Sequence, residues 1–193
     1  MTPSICIERT GTIRKLLKTE TGLLREHLLR LDGEARARRF GHHVSDDFVA
    51  EYSMRAAEIG SLTFAYIAGG DARAAAELKY PLLAARRTAE AAFSVETAFS
   101  NQGIATLLMG YVINAARNRG IKHILLNCLA ENAKMRAIAA KYDADISLAQ
   151  GVVVGDISPP RADYSSVLRE LMDDRFALMH SALDFGLRSY RAA

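Results

Sequence analysis

The most informative stretch of the sequence is residues 90–120, in which a polar turn joins a strand-like segment to an amphipathic helix. An apolar run from Ala91 to Val95 precedes the turn Ser100-Asn101-Gln102-Gly103, and a helical pattern starts directly after it. The first backbone N–H groups of a helix lack intrahelical partners, and the helix dipole places partial positive charge at the same end. A glycine-containing turn from a strand into a helix therefore predicts an anion site, and hence a phosphorylated ligand.

A carboxylate lies at the opposite end of the same strand. Glu90 is flanked by alanines, so we expect it to be partly buried, which raises the pKa of a carboxyl group toward the range useful for a general base. The alternative is a strand-end glutamate in a surface ion pair with Arg86 or Arg87. Glu96 is a second candidate base, which we expect to be more solvated because it lies nearer the polar turn.

Other side chains with reactive groups have no partners at an informative spacing. His42 and His43 are adjacent but lack further ligands nearby, so no metal site is predicted. His27 lies on the apolar stripe of a predicted helix, which is typical of a core or boundary residue. Ser94 is not surrounded by the G-x-S-x-G pattern of a nucleophile elbow.

Composition and charge restrict the class of protein. The chain has 193 residues, of which 50% are hydrophobic and 24% charged, as in one ordinary globular domain. The net charge is +3 and the basic residues are dispersed, so we expect no nucleic-acid partner. No segment approaches the ~20 apolar residues that span a bilayer, so we expect no membrane partner. Two distant cysteines, Cys6 and Cys128, and the lack of a signal-peptide pattern favour a reducing, cytoplasmic location.

Periodicity and turn signals predict the elements that position these residues. Apolar patterns typical of strands predict six strands, at 12–17, 61–68, 73–80, 89–96, 121–129 and 151–157. Helical spacing predicts helices at 21–31, 34–40, 45–58, 103–119, 131–142 and 162–188. This order indicates an α+β fold around one mixed sheet. The C-terminal helix carries an apolar stripe, for which we favour packing on the domain, with a cover over the substrate side or a dimer seam as alternatives.

From Ala89 onward, the sequence resembles the acyl-CoA-binding core of the GNAT superfamily of N-acetyltransferases. In that family, the loop between the fourth strand and the third helix reads Gln or Arg, two variable residues, Gly, one variable residue, then Gly or Ala. Gly103 and Ala105 match this pattern, whereas Ser100 replaces the long side-chain donor. Backbone N–H groups supply most of the phosphate contacts in such loops and serine retains a hydroxyl, so we expect only modestly weaker binding.

The resemblance extends beyond the loop. Asn132 matches an asparagine that contacts the cofactor arm in many family members, and Met135 follows it as the family pattern allows. The stretch 24–40 looks like the opening of GNAT domains fused to acyl-CoA synthetases, a branch that includes protein-lysine acetyltransferases. The resemblance covers roughly residues 12–157, which we expect to form the acyltransferase domain, with 162–190 as a helical extension packed on it. It implies a mostly antiparallel sheet with a splayed strand pair and helices on both faces.

The resemblance also implies the chemistry and the residues that carry it. It implies acetyl-CoA as co-substrate, an amine as acceptor and no metal. The thioester carbonyl is expected at the splay between the fourth and fifth strands, with the backbone of Val95 as the strongest single candidate for contacting it. A glutamate in the matching Ala-Glu step is the base in the synthetase-fused branch, which assigns that role to Glu90. The expected cofactor-binding residues are Phe93, Val95, Ser100, Asn101, Gln102, Gly103, Ile104, Ala105, Thr106, Asn132 and Met135.

The chain departs from the family at the general acid. Many members keep a tyrosine seven residues after the asparagine, where this chain has Ala139. Tyr142 is either a displaced substitute or a core residue at the end of its helix. Two functions follow: an N-acetyltransferase in which an amine attacks acetyl-CoA directly with help from a carboxylate base, or a non-catalytic acyl-CoA-binding sensor or interaction module. A homodimer remains open.

Overall fold

The computed structural model describes residues 11–81, 87–149 and 152–192. Its strands form one seven-stranded sheet in the order β1-β2-β3-β4-β5-β7-β6. The strands are β1 (Thr12–Lys15), β2 (Ser61–Ala68), β3 (Asp71–Lys79), β4 (Thr88–Val95), β5 (His123–Leu129), β6 (Asp145–Ala149) and β7 (Val152–Ile157). The α-helices are α1 (Thr21–Arg30), α2 (Gly33–Phe40), α3 (Asp46–Met54), α4 (Ile104–Asn118), α5 (Ala133–Lys141) and α6 (Tyr164–Ala192). The predicted α+β fold is confirmed.

The pairing of β4 with β5 is the feature of the sheet that matters for function. These strands run parallel and pair from Thr88 opposite His123 to Ala91 opposite Leu126. Beyond Ala91, β4 continues to Val95 beside β3 alone, while β5 continues to Leu129 beside β7. The two strands therefore part, as predicted, and each presents a backbone edge to the gap between them.

Two hydrophobic clusters lie on opposite faces of the sheet. One contains Leu108 and Val112 of α4 packed against strand residues that include Leu78. The other contains Leu24 and Leu28 of α1. Alternate residues of a strand point to opposite faces, so β3 and its neighbours supply small side chains to both clusters and the helices approach the sheet closely.

Helical spacing predicts that Ile104, Leu107, Leu108, Tyr111 and Ala115 share the inner face of α4, and Tyr111 is only partly buried there. Ile104, Leu108 and Ala115 are buried, whereas Leu107 is 59% exposed. Leu107 lies outside the buried stripe of the helix because each residue turns the helix by about 100°. The remaining buried positions of this helix are Met109, Val112 and Ala116.

Strand β6 was not predicted from the sequence. It is an edge strand whose residues 145–148 are exposed, and it pairs only with β7, from Asp145 opposite Asp156 to Ala149 opposite Val152. Its polar and apolar residues alternate only over the short segment Asp145 to Leu148, which is too brief to separate a strand from a loop by periodicity alone.

Helix α6 packs on the domain through a different face from the one predicted. It contacts β1 and α4. Two ion pairs join it to the domain: Arg14 Nη2 lies 2.9 Å from Asp184 Oδ2, and Arg119 Nη1 lies 2.7 Å from Glu170 Oε1. Ala177 of this helix is buried. The predicted apolar stripe is exposed at Leu168, Leu171, Met172, Leu178, Met179, Ala182 and Leu183, and the side-chain surroundings of Gly186 lie outside the described residues. Within the described part of the chain, no helix combines the length and the apolar character needed to span a membrane.

Candidate active site

The turn before α4 leaves the start of this helix open to a ligand. Gly103 is the N-cap residue, with φ of +78°, and no side chain among the described residues caps the helix. Asn101 also has a positive φ, of +62°. The first N–H groups of α4, at Ile104, Ala105 and Thr106, therefore have no intrahelical or side-chain partner. The helix end at which the sequence predicts an anion site is therefore not capped by any described side chain.

A cleft of about 790 Å³ connects this turn to the gap between β4 and β5. Its walls come from β4, the turn, the first residues of α4 and α5, and the cleft-facing side of α2. The predicted cofactor-binding residues that line it are Phe93, Val95, Ser100, Asn101, Gly103, Ile104, Ala105, Thr106, Asn132 and Met135. Gln102 does not line the cleft, because its Nε2 donates a hydrogen bond of 3.0 Å to the Ala98 carbonyl.

The side chains around α5 have structural roles that the sequence left open. Asn132 is the N-cap of α5, and its Oδ1 accepts a hydrogen bond of 3.1 Å from the N–H of Met135. The Tyr142 hydroxyl donates to the Thr106 carbonyl at 2.8 Å, and its ring packs against the core cluster under α4. Burial raises the pKa of Tyr142. Tyr142 thus fits the core alternative, and it fastens α5 to the first turn of α4.

Glu90 lies at the end of the paired part of β4. It is opposite Lys79 and beside Leu125, one residue before the strands part. Its side chain is exposed, so the predicted partial burial is wrong. No described ion pair joins Glu90 to Arg87, and Arg86 lies outside the described residues. By strand alternation Glu90 points to the same face as Ser94, toward the side covered by α1, α2 and α3.

Glu96 is less solvated than predicted. Its side chain is only 11% exposed, and Oε1 accepts a hydrogen bond of 2.9 Å from Nε of Arg30. Arg73 Nη1 approaches the other carboxylate oxygen at 3.2 Å. Burial alone would raise the pKa of Glu96, but its hydrogen bonds with His27 and Arg30, together with their charges, lower it. Glu96 is therefore ionised at neutral pH.

Ser94, His27 and Glu96 form a connected set that the sequence did not predict. His27 Nε2 lies 2.8 Å from Ser94 Oγ, and His27 Nδ1 lies 3.3 Å from Glu96 Oε1. His27 is fully buried, and burial lowers its pKa despite the opposing effect of Glu96. One sequence signal could have indicated this set. Ser94 and Glu96 are two residues apart, a spacing that places both on one side of an extended chain, and this side faces the stripe of α1 that carries His27.

A buried ion pair supports the cleft from the α2 side. The Arg39 guanidinium bonds to Glu77 on β3 and donates to the Tyr52 hydroxyl at 2.6 Å, which in turn donates to Glu77 Oε2 at 2.9 Å. Burial and the charge of Glu77 raise the pKa of Tyr52. Arg38 and Arg39 both line the cleft, but Arg38 is exposed, whereas the Arg39 side chain is buried.

A strand pair that parts beside an open helix N-terminus is the architecture of an acyl-CoA-dependent acyltransferase. The family model described as the acetyltransferase (GNAT) family matches residues 26–143, which is more than half of the chain. The chain therefore belongs to the GNAT acetyltransferase family, and the predicted family membership is confirmed.

Solved structures show the same fold at low sequence identity. The GNAT domain of S. lividans PAT superposes with a TM-score of 0.66 at 21% identity, covering 77% of this chain and 90% of that one. The ribosomal-protein-S18-alanine N-acetyltransferase from Escherichia coli gives 0.60 at 17%, covering 80% and 97%. A putative acetyltransferase from Salmonella typhimurium, solved with its cofactor acetyl-CoA, gives 0.60 at 16%, covering 80% and 96%.

Metal ligands do not gather in the part of the chain that the structure describes. No three histidine, cysteine, aspartate or glutamate side chains there form a group that could hold a metal ion.

His27 should make the stability of the fold depend on pH above the range in which carboxylates titrate. Its pKa is lowered in the folded state, so the unfolded chain binds more protons below about pH 6.5 and stability falls as the pH decreases. We expect the free energy of unfolding, measured by urea denaturation, to drop by up to about 2 kcal/mol between pH 7 and pH 5. His27→Gln should flatten this slope.

The matched control is His43→Gln, since His43 is an exposed histidine. It should keep the slope of the wild-type chain. An unchanged slope in His27→Gln would show that the buried imidazole is not the source of the pH dependence of stability.

Proposed function

We propose that this chain is an N-acetyltransferase that moves an acetyl group from acetyl-CoA to a primary amine, either on a small molecule or on a protein lysine. The observation that carries the proposal is the continuity of one cleft from the open N-terminus of α4 to the gap between β4 and β5. Membership of the GNAT family supports it, as does the Salmonella structure, which was solved with acetyl-CoA.

The cleft offers each part of acetyl-CoA a suitable partner. The N–H groups of Ile104, Ala105 and Thr106 would hold the pyrophosphate, because they converge where the dipole of α4 is positive. The edge of β4 from Phe93 to Val95 faces the gap and would pair with the pantetheine amides as an added strand does. The cleft volume of about 790 Å³ lies within the usual range of small-molecule sites.

The same edge supplies the electrostatic part of the reaction. Attack of an amine on the thioester carbon places negative charge on the carbonyl oxygen, and a backbone N–H fixed in position stabilises that charge. The backbone of Val95 remains our candidate for this contact. Because β4 is already held by β3, the donor needs no reorganisation during the reaction.

Glu90 is the proposed general base, acting at a distance. Five residues of strand place its Cα roughly 16 Å from that of Val95, where the thioester carbonyl is proposed to bind, and this distance exceeds the direct reach of a glutamate. The proton of the attacking amine therefore passes to Glu90 through water. The exposure of Glu90 supports this route, because water has access to the carboxylate.

Replacing the base should slow the chemical step without affecting acetyl-CoA binding. For Glu90→Gln we expect the rate of CoA thiol release with an amine acceptor to fall ~10²–10⁴-fold, with an unchanged Kd for acetyl-CoA. Glu58→Gln, at another exposed glutamate, should keep the full rate. An unchanged rate in Glu90→Gln would remove Glu90 as the base. Binding without thiol release from any amine in a panel would instead favour the sensor function.

The left-handed turn at Gly103 allows a matched test of the anion site. Gly103 and Gly120 have φ of +78° and +66°, and an added Cβ would contact nothing within 4 Å at either position. A valine should therefore introduce comparable backbone strain at the two ends of α4. We expect Gly103→Val to raise the Kd for CoA at least about tenfold, a change of ~1.4 kcal/mol, because the N–H groups move.

Gly120→Val should lower the melting temperature similarly while leaving the Kd for CoA unchanged. Calorimetric titration and thermal melts of both variants separate the two effects. Equal losses of affinity in the two variants would contradict an anion site at Gly103.

We also propose that the chain forms a homodimer through α6. This helix of 29 residues is ~43 Å long and exposes a stripe of large apolar side chains, which is unusual for a monomer. A stripe of this kind is complementary to itself when two copies pair about a twofold axis.

The dimer can be tested by charge substitution within the stripe. We expect the wild-type chain to sediment as a dimer and the double variant Met172→Glu with Met179→Glu to sediment as a monomer. Leu148→Glu, at an exposed position of β6, should remain dimeric. A monomeric wild-type chain at micromolar concentration would contradict the proposal.

The finer placement of the chain rests on sequence likeness. We propose that it is most similar to the GNAT domains fused to acyl-CoA synthetases, on the basis of residues 24–40 and the Ala-Glu step at Glu90. We further propose a cytoplasmic location, in which the buried free thiol of Cys128 stays reduced.

A further inference from the structure

We propose that Ser94, His27 and Glu96 form a nucleophilic triad through which Ser94 accepts an acyl group from the thioester bound in the cleft. The inference rests on the proposed function, because the acyl donor is the proposed acyl-CoA. When no amine is present, transfer to Ser94 followed by hydrolysis would give the protein a slow acyl-CoA hydrolase activity.

The position of Ser94 makes this reaction possible. Ser94 lies on the segment of β4 that has left β5, and it is part of the cleft wall. The Ser94 Oγ to His27 Nε2 distance of 2.8 Å is within the range of an activated nucleophile and its base, and a third group orients the base in such sites. Glu96 is the group that orients the base, since its Oε1 lies 3.3 Å from His27 Nδ1.

The environment of Glu96 determines the proton positions in the triad. Arg30 and Arg73 bind its two carboxylate oxygens at 2.9 and 3.2 Å, which keeps the group ionised and able only to accept hydrogen bonds. Nδ1 of His27 must therefore carry the proton that faces Glu96. Nε2 is then unprotonated in the neutral ring, and it accepts the Ser94 hydroxyl proton.

The burial of His27 suits the role of a base. Its ring is fully buried, and burial lowers its pKa, so the neutral form that can accept a proton predominates at neutral pH. The charged groups that face the ring are Glu96, Arg30 and Glu77.

Each step of the proposed reaction is balanced. Ser94 Oγ attacks the thioester carbonyl carbon while its proton moves to His27 Nε2. A C–O bond forms, the C–S bond breaks, and the departing sulfur takes the proton from His27 Nε2, leaving acyl-Ser94 and free CoA thiol. Water activated by the same imidazole then hydrolyses the ester, which releases the carboxylic acid and restores the serine.

A purely structural role would give the same hydrogen bonds, since they tie α1 to β4. The two roles differ in one observable result, which is a covalent adduct on Ser94. The test therefore uses two acyl donors without any amine: acetyl-CoA, which requires the proposed cleft function, and p-nitrophenyl acetate, which does not. Intact-protein mass spectrometry and peptide mapping after rapid acid quenching identify the adduct.

We expect one acetyl group per chain, mapped to Ser94, with both donors. Ser94→Ala should abolish the adduct, whereas Ser53→Ala, at a buried serine of α3, should retain it. His27→Gln should slow acylation ~10²–10⁴-fold, as expected for loss of a general base. Glu96→Gln should also slow it and supplies a second variant if His27→Gln does not fold.

The outcomes separate this inference from the proposed function. If acetyl-CoA binds, shown by calorimetry, but neither donor labels Ser94, the triad is overturned and the acetyltransferase proposal stands. If p-nitrophenyl acetate labels Ser94 through His27 but acetyl-CoA neither binds nor reacts, Ser94 is a nucleophile and the proposed function fails. Labelling at a residue other than Ser94 also overturns the triad.

Discussion

The parting of β4 from β5 is the constraint on which the rest of the candidate site depends. Parallel strands normally satisfy each other's backbone groups along their whole length, and here the pairing ends at Ala91 and Leu126. β3 on one side and β7 on the other hold the separated strands rigidly, so the open edges keep their positions without a ligand. Hydrogen-bonding groups that are fixed before binding cost little reorganisation when a ligand pairs with them or when charge develops on an acyl group. The open N-terminus of α4 follows β4 after only a short turn, which aligns the phosphate end and the acyl end of one elongated substrate.

Polar groups beneath α1 and α2 hold the opposite wall of this cleft. A buried charge is costly unless it is paired and hydrogen-bonded. The cluster around Arg39 and the cluster around Glu96 both meet that requirement. Arg39 is neutralised by Glu77, and Glu96 by Arg30 and Arg73. These clusters attach α1 and α2 to β3 and β4, so this wall of the cleft is fixed to the sheet. Of the two α2 arginines that line the cleft, Arg39 is neutralised by Glu77, whereas Arg38 is exposed.

Helix α6 shows that one amphipathic pattern can pack in more than one way. Its apolar residues predict a face that covers the domain, yet the domain contacts the narrow polar side of the helix, through Asp184, Glu170 and the small Ala177. The complementary partners on the domain are Arg14, which Glu20 also binds at 2.8 Å, and Arg119, which is partly exposed. The ion pairs of these arginines with Asp184 and Glu170 lie on the face of the helix that meets the domain.

The sequence alone determined the order of most elements, the turn before α4 and the family, because each depends on local spacing. Periodicity along α4, the glycine at position 103 and the strand before it are readable without any long-range contact. The tertiary structure decided what depends on residues far apart in the chain. β6 pairs with β7, Glu90 is exposed, and Ser94 meets His27 across 67 residues. The burial of a side chain and the pairing of charges are properties of packing between elements, and local periodicity does not specify them.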